Sequence, residues 1–355
     1  MKHILKQSIS GAAGMALLAV CGGAVGTASA EESLTIVSWG GVVSEAHRKS
    51  FWDPFTEESG IKILDDSFNG ELSNIRAQVE SGTILWDIAE PEFAEAALGC
   101  EEGLFEPLDT SIIDVDDIPA AHVTRCSVTS LLASTVLAYN AAEFEGEGPR
   151  SWVDFWDVDR FPGRRGLNFS VTDTLIVALL ADGVAVDEVY EVLETKDGQD
   201  RAFAKLDELR DHIIWWRSGT EQIQGLLSGE YVMAAAWNGR VASAAKTEGA
   251  DLAMAWEAGH ILTGNQWVVL KGSKHKAAAM GFLAFALRPE QQADFMNGID
   301  YGVISRKAHE LISPERLAIM PGNPALEDDA VPPNANFWLN NFDTLNERFL
   351  AWASR

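Results

Sequence analysis

From residue 33 onward, short β-prone runs alternate with amphipathic stretches. Leu34-Thr35-Ile36-Val37-Ser38 predicts a strand that ends in Trp39-Gly40-Gly41. A helix should follow, with Ala46, Phe51, Trp52 and Phe55 apolar and Gly60 as its stop. The pattern then gives a strand over 61–67, a helix over 71–81 with Leu72, Ile75 and Val79 on one face, and a strand over 86–89. This order is that of an α/β layer with a mainly parallel sheet. Residues 131–139 form a continuous apolar run followed by a Gly/Glu/Pro-rich loop over 141–150, which marks a crossing into a second domain. Beyond it, Ser151 to Asp154 has capping-box spacing. Helices are expected over 172–182, 187–195, 199–215 and 221–228. The third is the clearest, with Phe203, Leu206, Leu209 and Ile213 in register. A buried strand over 232–237 and a return crossing over 267–270 come next. Helices over 275–287 and 289–297, a Pro/Asn/Asp-rich loop over 313–334 and a last helix carrying Phe337, Trp338, Phe342, Leu345, Phe349 and Trp352 complete the chain. Two α/β lobes crossed more than once would leave a cleft between them, a usual place for a small-molecule site.

The first thirty residues read as an export signal. Lys2 and Lys6 precede an apolar stretch over 9–20 that is too short to span a bilayer. Ala28-Ser29-Ala30 supplies the small residues a signal peptidase reads, so cleavage after Ala30 is expected. Lipidation of Cys21 is the competing reading, but Val20 stands where a small residue is required. After cleavage Cys100 and Cys126 remain; in an oxidising compartment they suggest one disulfide, with two unrelated buried thiols as the alternative.

Composition narrows the functional classes. Among 355 residues, 53 acids stand against 27 Lys and Arg, a net charge of −26 with no basic stripe for phosphates, so no nucleic-acid partner is expected. Removing residues 1–30 takes away two lysines and no acid, and the charge becomes −28. A hydrophobic share of 47% is ample for a packed core. The chain has no GxxxxGK[ST], GxGxxG or GxSxG motif and no HxxxH pair, and the acidic run 114–117 lacks the glycine and distal glutamate of a calcium loop. No cofactor and no metal are therefore expected.

Several segments, in order, carry a resemblance: Ile36-Val-Ser-Trp-Gly-Gly41, Ser134-Thr-Val-Leu-Ala-Tyr-Asn140, Ser151-Trp-Val-Asp-Phe-Trp156, Ala236-Trp-Asn-Gly-Arg240, Ala284-Phe-Ala-Leu-Arg-Pro-Glu-Gln-Gln292, Tyr301-Gly302 and the stretch from Phe337 to Arg348. With them the chain resembles the periplasmic solute-binding proteins of ABC importers, in the branch of the spermidine/putrescine binders. The resemblance implies a type II periplasmic-binding-protein fold: two α/β lobes joined by hinge strands, with an interlobe ligand cleft that closes by hinge bending. It implies no catalysis, a periplasmic location, a monomer, and an ABC permease as partner. On this reading residues 1–30 are the signal, 31–137 and 265–320 form lobe 1, 138–264 form lobe 2, and 321–355 are a C-terminal loop and helix packing on the lobes. The pair Cys100 and Cys126 recurs in one branch of the family, which favours the disulfide.

A ligand bearing ammonium groups needs aromatic faces and carboxylates in a partly desolvated cleft. Trp39, beside Gly40, and Trp237 each stand at a strand end next to a glycine or an Asn-Gly pair, and the resemblance places both against the ligand; Trp86 and Trp267 are weaker candidates. Asp173 approximately matches a position that supplies an acid, and Glu92 lies in the loop that supplies a further contact, although either could be a helix N-terminal residue favoured by the macrodipole. Two departures stand out. Asn265 replaces the acid expected on the return strand, and an amide cannot neutralise an ammonium. Arg240 can clamp a carboxylate, which a polyamine lacks. The main expectation is capture of a polyamine such as putrescine or spermidine. The alternative is an ω-amino acid or other zwitterion such as γ-aminobutyrate, held by Arg240. A second alternative is an exported hydrolase using Asp173 and Glu92 as a carboxylate pair. Ferric-ion binding is disfavoured, because no two of the four tyrosines are adjacent.

Overall fold

The structure, a computed structural model, describes residues 33–317 and 319–355. The export-signal expectations on Lys2, Lys6, residues 9–20, Cys21 and Ala28 to Ala30 lie outside the described residues. Ten strands of the described residues join in one sheet: β1 (Ser33–Ser38), β2 (Lys62–Ser67), β3 (Ile88–Ala89), β4 (Ser127–Asn140), β5 (Arg165–Asn168), β6 (Ile213–Trp216), β7 (Met233–Trp237), β8 (Leu252–Ala255), β9 (His260–Val269) and β10 (Ala330–Val331). The main path runs β2-β1-β3-β9-β4-β7-β5-β6.

Both flanks are parallel, β1 with β2 and β3, and β5 with β6 and β7. The centre departs from the mainly parallel expectation, because β4 and β9 traverse it in opposite directions and pair antiparallel from Ser127↔Val268 to Thr135↔Ile261. The first half of β4 therefore belongs with β9 and β3, and its second half with β7, from Thr135↔Trp237 to Tyr139↔Met233. A fourteen-residue strand can connect two lobes in this way because every side chain from Ser127 to Ala138 is buried, on one face or the other.

Each lobe buries apolar side chains on both faces of its part of the sheet. In the first, Leu34 and Ile36 face a core with Phe51, Trp267 and Phe282, while Val37 faces one with Ile75, Leu104 and the two cysteines. In the second, Leu137 joins Trp152, Leu175 and Phe349, while Val136 and Ala138 join Trp216 and Val241. Cys100 and Cys126 are bonded, tying helix Phe93–Glu101 to the segment that opens β4. The last helix, Ala335–Ala353, packs against helix Phe93–Glu101 and helix Val171–Ala181.

Three sequence expectations need correction. The helix expected over 199–215 runs from Lys196 to Leu209, and Ile213–Trp216 is strand β6. Ile213 fits a helical period, but Ile-Ile-Trp-Trp is β-prone and pairs residue by residue with β5. The return crossing begins at His260, seven residues before the apolar run that marked it, because polar Thr263 and Asn265 still pair with β4. The loop expected over 313–334 contains a helical turn, Pro314–Leu317, and the edge strand β10.

Candidate functional site

Strand β1 ends at Ser38 and passes at once into Trp39, Gly40 and Gly41. The two glycines have φ of 66° and 55°, values that residues with a Cβ avoid, and they turn the chain directly into helix Gly41–His47. Trp39 is held by its indole Nε1, which donates to the Glu90 carbonyl at 2.8 Å. In the second lobe, β7 ends at Trp237 and helix Asn238–Thr247 starts at the next residue. The two indoles meet edge to face across the lobes with ring centroids 6.0 Å apart. Phe68 supports Trp39 at 5.8 Å and Trp216 supports Trp237 at 5.0 Å.

Arg240 stands in the first turn of helix Asn238–Thr247. Its Nη2 donates to the Trp39 carbonyl at 3.3 Å, and its guanidinium lies 5.9 Å from the Trp237 ring. Glu92 and Asn265 face one another in an isolated antiparallel bridge. Trp39, Glu92, Trp237, Arg240, Asn265 and Tyr301 line one chamber, whose space, open mouth included, is about 350 Å³.

Asp173 lies beside this chamber. It is in the first turn of helix Val171–Ala181 and lines an adjoining space with Glu92, Tyr190 and Trp338. Its Oδ2 accepts a hydrogen bond from Thr135 Oγ1 at 3.0 Å. Glu92 belongs to both spaces. Gly40 lines neither and acts through the turn it makes. Trp267 is fully buried against Phe51 and Phe282, and Trp86 packs on Phe68 and donates to Asp66, so neither faces the chamber.

The acids form an electrostatic cluster. Burial pushes the Glu92 carboxyl well above its ordinary range, and the nearby Glu95 and Asp173 charges push it further. Burial likewise raises Glu95, with Asp173 adding to the shift. Asp173 is raised by burial, in part offset by hydrogen bonds involving Thr135, Asn168 and Thr172. All three side chains keep some exposed area, yet they lie deep in the cleft, where protein atoms exclude most of the water that would stabilise their charges. A cation entering here would remove much of the repulsion and favour the ionised forms.

Tyr301 was not singled out as a site residue from the sequence. It is 3% exposed, and burial pushes its phenol up to about 12, so it stays protonated and able to donate. It stood in the sequence only within the segment Tyr301-Gly302, with nothing to mark its side chain as cleft-facing.

The family described as "Bacterial extracellular solute-binding protein" matches residues 51–320. A γ-aminobutyric acid-binding protein of Pseudomonas aeruginosa is 39% identical over 91% of this chain and 92% of its own length. A spermidine/putrescine-binding periplasmic protein of Haemophilus influenzae is 24% identical over 89% of this chain and 84% of its own. Among solved structures, an ABC transporter substrate-binding protein from Bradyrhizobium japonicum is 37% identical, covers 90% of this chain and 99% of its own, and superposes with a TM-score of 0.84. The Atu4243-GABA receptor is 33% identical over 91% of this chain and 98% of its own, with a TM-score of 0.80.

Proposed function

The chain belongs to the bacterial extracellular solute-binding proteins, and from that premise we propose that it captures an ω-amino acid of the γ-aminobutyrate type between its lobes for delivery to an ABC permease. The carrying observation is that Arg240 and Glu92 line the same small, aromatic-walled chamber. A guanidinium recognises a carboxylate through charge-assisted hydrogen bonds, and Tyr301 can add a donor. Glu92 and the Asn265 amide oxygen accept from an ammonium, with Trp39 and Trp237 offering ring faces to the chain between the charged ends.

A polyamine fits this chamber less well than expected from the resemblance. It carries no group for Arg240, and its second ammonium would meet a like charge. The relatives support the same preference, since the γ-aminobutyric acid-binding protein is far more similar than the spermidine/putrescine-binding one. The hydrolase alternative is set aside, because the family consists of transport receptors rather than enzymes.

Strands β4 and β9 are the proposed hinge. They carry the chain between lobes, and β4 has an irregularity between Thr129 and Leu131 where its register can flex. Thermal unfolding with and without ligand tests the proposal. γ-Aminobutyrate in excess should raise the melting temperature. Failure of this and of neighbouring ω-amino acids of three to six carbons to shift it would reject the reading.

A further inference from the structure

Arg240 reaches the chamber through a slot with no spare room. A Cβ built on Gly219, the first residue of helix Gly219–Ser228, would stand 2.0 Å from Arg240 Nε, 2.2 Å from Cδ and 2.5 Å from Cζ. From the opposite lobe, a Cβ on Gly41 would stand 3.1 Å from Nη1. The Gly219 wall of the slot is fixed. Ser218 Oγ caps the helix by accepting from the Glu221 N–H at 3.2 Å, and Gln222 Oε1 accepts from the Trp237 N–H at 3.1 Å. The helix is thereby tied to the segment from which Arg240 projects. Arg240 Nε is buried with no hydrogen-bond partner among the described residues, so packing alone holds the side-chain stem.

We propose that Gly219 is a positioning residue that sets the ligand class: by lacking a side chain it lets Arg240 lie along the helix start with its guanidinium at the chamber, and so selects a carboxylate over a second ammonium. The inference rests on the ω-amino acid reading of the site and names a residue that touches no ligand. Gly219 lies outside the set of glycines with positive φ, and the nearest atoms a Cβ would meet all belong to the flexible Arg240 side chain. Gly219→Ala should therefore fold as the parent does, alanine being the better helix former, and displace Arg240.

The test is calorimetry of the parent, Gly219→Ala, Arg240→Ala and the double variant with γ-aminobutyrate and putrescine, which share a four-carbon chain. Gly219→Ala should weaken γ-aminobutyrate at least tenfold and change putrescine less than threefold. In the Arg240→Ala background it should change neither ligand, because a residue acting through Arg240 has nothing left to act on. Equal weakening of both ligands, an effect that persists without Arg240, or loss of a cooperative thermal transition in Gly219→Ala would each overturn the inference. A parent protein that prefers putrescine would instead reject the ω-amino acid reading, while the dependence of the Gly219 effect on Arg240 would still decide whether Gly219 acts through it.

Discussion

Glu90 and Glu92 are separated only by Pro91, and burial raises both carboxyls, yet they occupy opposite environments. Glu90 is fully buried within the first lobe. The hydroxyls of Ser38 and Ser130 each donate to it at 2.5 Å, and His47 Nδ1 lies 3.5 Å away. Desolvation outweighs the two hydrogen bonds and raises its carboxyl to about 7, and the same burial lowers the His47 imidazole to about 3. Glu92 faces the chamber, and its charged neighbours are Glu95 and Asp173. One carboxyl finds its partners inside the lobe and helps fix the segment whose carbonyl holds Trp39. The other has repulsive neighbours, and on the proposed reading its complementary charge is the ligand's ammonium. A pair of raised carboxyls is therefore no guide to function until their partners are known.

The largest effect should come from removing the internally satisfied member. Glu90→Ala leaves two buried serine hydroxyls without their acceptor, each costing about 1–3 kcal/mol. Urea unfolding should show a loss of at least about 2 kcal/mol on that basis. Little loss there would break the contrast with Glu92.

The pH dependence of stability should show the same contrast. Glu90 has a carboxyl near 7 when folded, against 4.5 ordinarily. Its stabilising contribution is fully present below pH 4.5 and is lost as pH rises through 7, an effect of up to about 3 kcal/mol. His47 acts in the opposite sense. With an imidazole near 3 when folded against 6.5 ordinarily, its contribution is present above pH 6.5 and is lost as pH falls through 3. Between pH 4.5 and 6.5 the two slopes oppose one another. Glu90→Gln should leave urea midpoints that rise with pH across this range; a profile like the parent's would contradict the assignment.

For the chamber member, Glu92→Gln should weaken γ-aminobutyrate at least tenfold, about 1.4 kcal/mol, without lowering the melting temperature, since it also removes a like charge. Parent affinity should rise with pH through the raised Glu92 range and then level, because binding an ammonium requires the ionised carboxylate. The variant should lose that slope. The smallest effect should come from Glu95→Gln. Relieving repulsion on Glu92 should strengthen binding about twofold to threefold, a few tenths of a kcal/mol, below the raised Glu92 range and hardly above it. Calorimetry across pH checks all three.

Local features of the fold were the legible ones. The β1 run and its Trp-Gly-Gly ending, the mostly apolar crossing over 131–139 and the last amphipathic helix all declare themselves within a few residues. The disulfide was legible from two cysteines in a chain read as exported. The end of the helix over 196–209 was not, because Ile213 satisfies both periods and pairing with β5 decides between them. At the site, Trp39 and Trp237 were marked by their strand ends. Asp173 could not be assigned to the neighbouring space, because that depends on where its helix packs against the last helix. Tyr301 matters through the chamber it lines and Gly219 through its contact with Arg240, and no spacing along the chain encodes either.

The central claim is that the chamber reads two opposite charges. Calorimetry of the protein with γ-aminobutyrate, putrescine and butyrate, all four-carbon chains, tests it directly. γ-Aminobutyrate should bind at least tenfold more tightly than either, since putrescine leaves Arg240 without its carboxylate and butyrate leaves Glu92 without its ammonium. Putrescine binding as tightly as γ-aminobutyrate, or more tightly, would contradict it.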